Sequence, residues 1–228
     1  MSLNPEIARW YLIAQQNHTS TQTIVAAETT GSIVERLHIA WTYEYERQSN
    51  NCNGKEGPVL FIDQQYLFVI NSTGIVTIAD NGDSASTKSF VTYPNICTNH
   101  MAFSESDSTL LIVDKNHLNL IIYNISTQEL SNVSLSNIYG SEIIGHLSRL
   151  SVIENHRLII IVVTVDLKGI LLLFDYQLKK LLSHVDIGTV RSTNFDNFSQ
   201  ISYTKLNGQQ TFLTFAHQSI GLFTIRVN

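Results

Sequence analysis

The chain has 228 residues, of which 43% are hydrophobic and 14% are charged, and its formal net charge is −5. This composition is too apolar for a disordered chain and too poor in charge for a helical bundle with a charged surface. The negative net charge also disfavours a phosphate-binding surface, so we do not expect direct contact with nucleic acid.

Five β-hairpins are predicted along the chain, each with two β-rich runs around a short polar turn. The segments are TIVAAETTGSIVERLHI, YLFVINSTGIVTIAD, TLLIVDKNHLNLIIYN, LIIIVVTVDLKGILLLFD and TFLTFAHQSIGLFTIRV. Four turns contain glycine, and the third has leucine at the equivalent position: Gly31, Gly74, Leu118, Gly169 and Gly221. We expect these glycines to supply the positive φ that tight hairpin turns require.

Further β-like runs flank the hairpins. One run precedes each hairpin: ARWYLIAQQ, GPVLFIDQQ, HMAFSES, SRLSVIEN and SQISYTKL. A more polar run follows the first four: WTYEYERQ, TKSFVTY, QELSNVSL and KKLLSHVDI. Equivalent turns recur about every 40–50 residues. A strand-based repeat of that length predicts an all-β fold, namely a β-propeller of about five four-stranded blades in one domain over residues 1–228. The last blade has three runs, so the ring is either imperfectly closed or open.

Two of these repeats resemble degenerate WD repeats. Phe103-Ser104 matches the Phe-Ser that ends the innermost strand of that family, and Gly145-His146 matches the Gly-His that opens a repeat. Tyr123-Asn124 and Phe174-Asp175 occupy the position of the usual Trp-Asp pair, which is absent from both repeats. The resemblance implies a WD-like propeller that acts as a non-catalytic protein–protein interaction scaffold, as a subunit of a larger complex.

Two alternative functions stay open. The segments SDSTLLIVDKNHLNLIIYNIS and SEIIGHLSRLSVI are similar to part of the WD-repeat subunit of the tRNA guanine-7 methyltransferase, which would make the chain an accessory subunit of an RNA-modifying enzyme. Asp63, Glu105 and Glu154 follow three inner strands, as carboxylates do in five-bladed glycosidase-like enzymes. We interpret these acids as turn residues and do not expect an enzyme.

A partner-binding face is predicted where the turns between second and third strands meet the loops between blades. Its candidate residues are Asp114, Lys115, His117, His146, Asp166, Lys168, His217 and Gln218. The eight histidines show no metal-ligand spacing, and neither a Cys/His cluster nor a glycine-rich phosphate loop occurs. The sequence therefore predicts a protein partner and no metal or cofactor.

The last run of the chain is predicted to be an exposed edge strand. It consists of Gly221, Leu222, Phe223, Thr224, Ile225, Arg226 and Val227. Pro5 makes the N-terminal segment a poor fourth strand for this blade, because proline lacks the N–H that a ladder needs. Either the N-terminus covers this edge poorly, or a partner donates a strand there.

The chain is predicted to be intracellular, in the cytoplasm or nucleus, and not to contact a membrane. Its N-terminus lacks the pattern of a signal peptide. The apolar stretch LIIIVVTVDLKGILLLF contains Asp166 and Lys168 at its centre and is predicted to form a soluble hairpin instead of a membrane span. Cys52 and Cys97 allow a disulfide on number alone.

Overall fold

The structure is a computed structural model that describes most of the chain in separate stretches. These are residues 8–15, 21–29, 37–46, 59–62, 66–71, 73–98, 100–115, 117–139, 144–153, 156–189, 202–206, 210–217 and 221–227. For some strand residues, including His146 and His217, only the backbone is described.

The described residues form β-strands and one short α-helix, arranged as five antiparallel sheets in chain order. The first sheet contains β1 (Ala8–Gln15), β2 (Thr21–Thr29) and β3 (Leu37–Glu46). The second contains β4 (Val59–Ile62), β5 (Tyr66–Ile70), β6 (Gly74–Asp80) and β7 (Ala85–Thr92). The third contains β8 (Met101–Ser104), β9 (Thr109–Asp114), β10 (Asn119–Asn124) and β11 (Glu129–Ser134), followed by α1 (Leu135–Tyr139). The fourth contains β12 (Ile144–Ile153), β13 (Arg157–Thr164), β14 (Lys168–Asp175) and β15 (Lys180–Thr189), and the fifth contains β16 (Ser202–Leu206), β17 (Gln210–His217) and β18 (Gly221–Val227).

Every sheet is an antiparallel meander, because each strand pairs with the strands next to it in the sequence. The predicted all-β class is confirmed. The first sheet differs from the prediction, since WTYEYERQ does not form a separate fourth strand. Its residues 41–46 belong to β3, which pairs directly with β2 and places Tyr45 opposite Gln22. Trp41, Tyr43 and Tyr45 continue one alternating pattern with no turn residue to interrupt it, so the strand runs on.

The chain divides into two compact units, residues 1–97 and 98–228. In the first unit, an apolar core lies between the first and second sheets and includes Ile24, Trp41, Leu67 and Ile78. The prediction of a single domain over residues 1–228 stays a prediction.

In the second unit, the fourth sheet is covered on both faces. Even-numbered residues of β13 and β14, such as Ile160 and Leu172, pack with Leu111 and Val113 of the third sheet. Odd-numbered residues of the same strands, such as Ile161, pack with Phe215 and Ile225 of the fifth sheet, within the core that joins these two sheets. Strands with both faces covered need apolar residues at successive positions, which explains the continuous apolar runs in the sequence.

Burial falls from the middle strands to the outer strand of each four-stranded sheet. Every residue of β9 and all but the first residue of β13 are buried. Most residues of the outer strands β7 and β15 are exposed. The predicted polar outer strands are therefore confirmed, and their charged residues, such as Lys180, lie on exposed strand edges.

The apolar stretch at residues 158–174 forms the hairpin of β13 and β14, as predicted. Within the described stretches, no helix is long and apolar enough to cross a membrane. Cys97 is disulfide-bonded, and Cys52, the only other cysteine of the sequence, lies outside the described residues.

The same backbone conformation recurs in the turns of the third and fourth sheets. In both sheets, the residue just before the second, third and fourth strand has a positive φ. These residues are Ser108, Leu118 and Gln128 in the third sheet, and His156, Leu167 and Lys179 in the fourth. The recurrence of this conformation at six positions shows that the third and fourth sheets are two copies of one structural repeat.

Glycine does not have the role expected of it in these turns. Among the described glycines, only Gly82 and Gly188 have a positive φ, so the expectation is wrong for Gly74, Gly169 and Gly221, while Gly31 lies outside the described residues. Gly74 is needed because the backbones of β6 and β7 approach closely. A Cβ at this position would lie 2.0 Å from the carbonyl oxygen of Val91.

The third strands of the three middle sheets end in the same kind of residue: Asp80, Asn124 and Asp175. In each, Oδ1 accepts a hydrogen bond of 2.8–2.9 Å from a backbone N–H two or three residues later. Asn124 and Asp175 are the residues matched to the aspartate of the Trp-Asp pair. Their side chains hold the turn to the outer strand.

We predict that Lys179→Gly raises the free energy of unfolding by about 0.5–1 kcal/mol. Lys179 is exposed with a φ of 53°, and glycine would relieve the steric cost of that conformation. The control Lys180→Gly, one residue later in β15, should lower the free energy of unfolding by a similar amount. Urea unfolding followed by circular dichroism measures both changes. Destabilisation of the same size at both positions would contradict the turn conformation.

Candidate functional site

Five of the eight residues predicted to bind a partner lie at two turns of neighbouring sheets. They are Asp114, Lys115 and His117 at the β9–β10 turn, and Asp166 and Lys168 at the β13–β14 turn. His146 lies in β12 and His217 ends β17, with only their backbones described. Gln218 lies outside the described residues.

At the β9–β10 turn, a buried carboxylate holds an exposed histidine. Oδ2 of Asp114 lies 2.6 Å from Nδ1 of His117, and the side chain of Asp114 is fully buried. Contrary to the expectation from the sequence, Asp114 is therefore not exposed on the binding face. Its role is to orient the imidazole of His117, because a buried carboxylate needs hydrogen-bond partners.

At the β13–β14 turn, hydrogen bonds hold the backbone beneath three exposed side chains. The Thr164 hydroxyl accepts a hydrogen bond from the backbone N–H of Lys168 at 2.9 Å and donates one to Asp166. Nζ of Lys168 lies 3.4 Å from Oδ2 of Asp166. The hydrogen bond from Thr164, together with Lys168, holds the pKa of Asp166 below its ordinary value. Val165, between these polar groups, is 67% exposed.

At the opposite end of the same sheets, a polar cluster joins the third sheet to the fourth. Oδ2 of Asp107, in the β8–β9 turn, accepts a hydrogen bond from the Tyr176 hydroxyl at 3.0 Å and lies 3.0 Å from Nδ1 of His156. The same hydroxyl lies 2.8 Å from Oγ of Ser104. The rings of His156 and Tyr176 meet edge to face, with their centroids 5.7 Å apart.

The charges in this cluster are set by its hydrogen bonds. Burial opposes the ionisation of Asp107, but hydrogen bonds with Ser104, Tyr176 and His156 outweigh it, and the pKa of the carboxyl group lies below its ordinary value of 3.8. Burial, and to a smaller extent the charge of Asp107, raise the pKa of Tyr176 well above its ordinary value. At neutral pH an ionised carboxylate therefore faces a protonated phenol, which is a stabilising pair.

A carboxylate also joins neighbouring sheets in the first unit. The Tyr11 hydroxyl donates a hydrogen bond to Oδ2 of Asp80 at 2.5 Å, and the indole N–H of Trp41 donates one to Oδ1 at 3.0 Å. The two aromatic rings lie 5.9 Å apart. Thus each unit contains one aspartate at the end of a sheet that binds aromatic side chains of the adjacent sheet.

Sequence reasoning identifies Ser104 as the end of an inner strand but misses Asp107, His156 and Tyr176 as a group. These three residues lie in different turns and share no motif spacing. The alignment of the repeats is the signal that could have found them. It places the turns of Asp107 and His156 at equivalent positions in adjacent repeats.

The polar cluster of Asp107, His156 and Tyr176 shows which turns of the third and fourth sheets lie at the same end. Because β9 and β13 both begin beside the cluster, the turns that follow them are both at the other end of their sheets. We call the residues displayed there the turn surface: Lys115, His117, Val165, Asp166 and Lys168. The turn surface carries three basic or titratable side chains, one exposed carboxylate and one exposed apolar side chain.

The described residues do not support the glycosidase-like alternative. Of the three acids considered, Glu105 is exposed in the β8–β9 turn, while Asp63 and Glu154 lie outside the described residues. In the part of the chain that the structure describes, no group of three or more His, Cys, Asp or Glu residues could hold a metal ion.

No protein-family model and no curated protein matches this sequence. Among solved structures, the chain is similar to Sqt1 of Saccharomyces cerevisiae, a WD40 protein, with 11% identity and a TM-score of 0.57 over 96% of this chain and 58% of that one. It is also similar to hydrazine synthase of Kuenenia stuttgartiensis, with 10% identity and a TM-score of 0.53 over 94% of this chain and 64% of that one. The chain thus spans less than two thirds of either structure. The similarity concerns the fold alone, and together with the antiparallel four-stranded sheets it supports a β-propeller-like fold.

We predict that Asp107→Asn lowers the free energy of unfolding by about 1–2 kcal/mol near neutral pH. Because the folded-state pKa of Asp107 is lowered, its stabilising effect is complete above the unfolded value of 3.8 and is lost as the pH falls through the folded value. The difference between wild type and variant should therefore shrink in acid. Urea unfolding at about pH 7, 5 and 3 measures it. The control is Glu105→Gln, which removes an exposed carboxylate of the same turn. A difference that stays constant across this range would contradict the role of Asp107.

Proposed function

We propose that this protein is a non-catalytic interaction module that binds a protein partner through the turn surface. In this proposal the five sheets are blades of a WD-like propeller with an incomplete last blade, and the module is a subunit of a larger complex. The observation that carries the proposal is the pair of hydrogen-bonded turns that display exposed side chains at one end of neighbouring sheets.

Preorganisation is the first argument for this surface. The Asp114–His117 contact fixes one turn, and Thr164 fixes the other through its bonds with Lys168 and Asp166. Side chains on a backbone that is already ordered lose less conformational freedom when a partner binds. The turn surface is therefore better suited to recognition than a loop without such bonds.

The mixture of side chains is the second argument. Val165 offers an exposed apolar contact, and Lys115, His117 and Lys168 add hydrogen-bond donors at the same end of the sheets. Protein interfaces combine apolar and polar contacts. Because Asp114 is buried, Lys115 and Lys168 outnumber the exposed carboxylate of Asp166, which favours an acidic partner segment even though the whole chain has a net charge of −5.

The other sequence-based functions stay predictions. Neither an accessory role in a tRNA methyltransferase nor a glycosidase-like activity is favoured by a specific contact of the described residues. The intracellular location also stays a prediction.

Charge reversal tests the turn surface. We predict that the double variant Lys115→Glu/Lys168→Glu loses a partner that the wild-type chain retains in affinity capture with mass spectrometry, since reversed charges repel an acidic segment. Its urea midpoint should stay close to that of the wild type, because the lysines lie at turns.

The matched control is Lys179→Glu/Lys180→Glu, which makes the same change at the opposite end of the fourth sheet. It should leave capture unchanged. Capture that is equal for both double variants and the wild type would contradict the turn surface as the binding site.

Strand addition at β18 is a second candidate mode of partner binding. Within the described residues, β18 pairs with β17 alone, while β6, β10 and β14, the equivalent third strands, each have a fourth strand beside them. A sheet edge offers N–H and C=O groups for pairing with another extended chain. A partner segment would complete the fifth sheet as a fourth strand.

Hydrogen exchange distinguishes strand addition from binding at the turns. We predict that those amides of residues 221–227 that are not bonded to β17 exchange fast in the isolated chain and at least tenfold more slowly with the captured partner. The amides of β11, the outer strand of the third sheet, serve as the control and should not change. Strong protection of residues 221–227 in the isolated monomer, lost on deletion of residues 1–7, would contradict strand addition by a partner.

A further inference from the structure

Two contacts between an aspartate and a histidine occur in the described part of the second unit, at opposite ends of β9. In both, a carboxylate oxygen faces Nδ1 of the imidazole. Oδ2 of Asp114 lies 2.6 Å from Nδ1 of His117, and Oδ2 of Asp107 lies 3.0 Å from Nδ1 of His156. The pair of Asp107 and His156 joins the third sheet to the fourth, whereas Asp114 and His117 lie at one turn. Of the two pairs, the second therefore acts on the turn surface.

The distance between Asp114 and His117 bears on which ring nitrogen carries the hydrogen. At 2.6 Å the two atoms form a hydrogen bond, so one of them donates. A carboxylate can only accept, and the hydrogen then lies on Nδ1 of the imidazole. A neutral imidazole has one such hydrogen, which leaves Nε2 as an acceptor. The acid form of Asp114 would donate to Nδ1 instead and would leave the hydrogen on Nε2.

Nε2 belongs to the exposed part of the His117 side chain. This side chain is 55% exposed, although the side chain of Asp114 is fully buried. Because Nδ1 is turned toward the buried carboxylate, the exposed part of the ring is the part that carries Nε2. Among the described residues, Nε2 has no hydrogen-bond partner. A partner that binds the turn surface can therefore reach this nitrogen.

His117 supplies an acceptor that the other side chains of the turn surface do not offer. The two lysines can only donate, and the valine has no polar side-chain group. The carboxylate of Asp166 is the other acceptor, but Oδ1 already accepts a hydrogen bond from Thr164, and Oδ2 lies 3.4 Å from Nζ of Lys168. The imidazole thus adds to this surface a hydrogen-bonding group that the lysines cannot replace.

We propose that Asp114 holds His117 in the tautomer with its hydrogen on Nδ1, and that Nε2 accepts a hydrogen bond from the protein partner. This inference rests on the proposed function, and it adds the chemistry of the partner: the acidic segment carries a hydroxyl or an amide N–H that donates to Nε2. A segment with an acceptor at that point would leave two acceptors facing each other, and binding would be weaker. Asp114 is then a positioning residue, and His117 contacts the partner.

Nitrogen-15 NMR of the purified full chain reads the tautomer without a partner. At a pH of about 8, above the ordinary pKa of histidine, Nδ1 of His117 should carry the hydrogen and Nε2 should not. Asp114→Asn should increase the fraction of the other tautomer, because an amide can donate to Nδ1 and a carboxylate cannot. His156 is the internal reference: the pKa of Asp107 lies below its ordinary value, so its carboxylate also requires a hydrogen on Nδ1. A hydrogen on Nε2 of wild-type His117 would overturn the proposal.

Affinity capture with mass spectrometry tests the contact with the partner. Asp114→Asn and His117→Phe should each reduce the captured partner by about fivefold or more, because the first weakens and the second removes the acceptor. His117→Gln should retain more partner than His117→Phe, since its side-chain carbonyl oxygen can replace the acceptor. Circular dichroism and urea midpoints check that each variant folds.

Asp107→Asn is the matched control, because it makes the same change in the other aspartate–histidine pair. It should leave capture unchanged. Equal capture by the wild type, Asp114→Asn and His117→Phe would overturn the proposal, and so would equal losses with His117→Gln and His117→Phe. If Lys115→Glu/Lys168→Glu retains the partner, the proposed function fails, and the NMR result still decides on the tautomer by itself.

Discussion

Burial of both faces of the middle sheets is the constraint on which the rest of the structure depends. Ile160 and Ile161 are adjacent in β13 and point to opposite faces, yet both are fully buried. Such a strand is stable only between two covering layers, because burial of each large aliphatic side chain stabilises the fold by about 1.5–3 kcal/mol. The third and fifth sheets supply those layers for the fourth. Within the second unit, the third, fourth and fifth sheets therefore stack in chain order.

In the second unit, the polar clusters that join or brace the stacked sheets lie at the ends of the sheets. At one end, Asp107 draws together Tyr176 and His156 across two sheets, where its hydrogen bonds offset the cost of partial burial. At the other end, buried Asp114 and Thr164 hold turns whose neighbouring side chains reach solvent. One end therefore strengthens the sheet pair while the other presents groups to a partner.

Local patterns in the sequence account for most of the fold. The apolar runs and polar turns predict the strands and their order, because alternation and turn chemistry act over a few residues. The continuity of β3 and the positive φ of Leu118 and Leu167 are not predicted, since tertiary packing overrides local preference there. The turn surface is predicted in part because its residues lie at equivalent turns. The contact of Asp107 with Tyr176 spans 69 residues and depends on how sheets stack, which no local spacing encodes.

The most direct test of this account compares one substitution at two leucines of the fourth sheet. Leu172 is buried in the core between the third and fourth sheets, and Leu178 is exposed in the turn that follows β14. Measured by urea unfolding, Leu172→Ala should lower the free energy of unfolding by about 2–5 kcal/mol. Leu178→Ala should change it by less than about 0.5 kcal/mol. Equal losses at the two positions, or a negligible loss at Leu172, would contradict the stacking of sheets through their apolar faces.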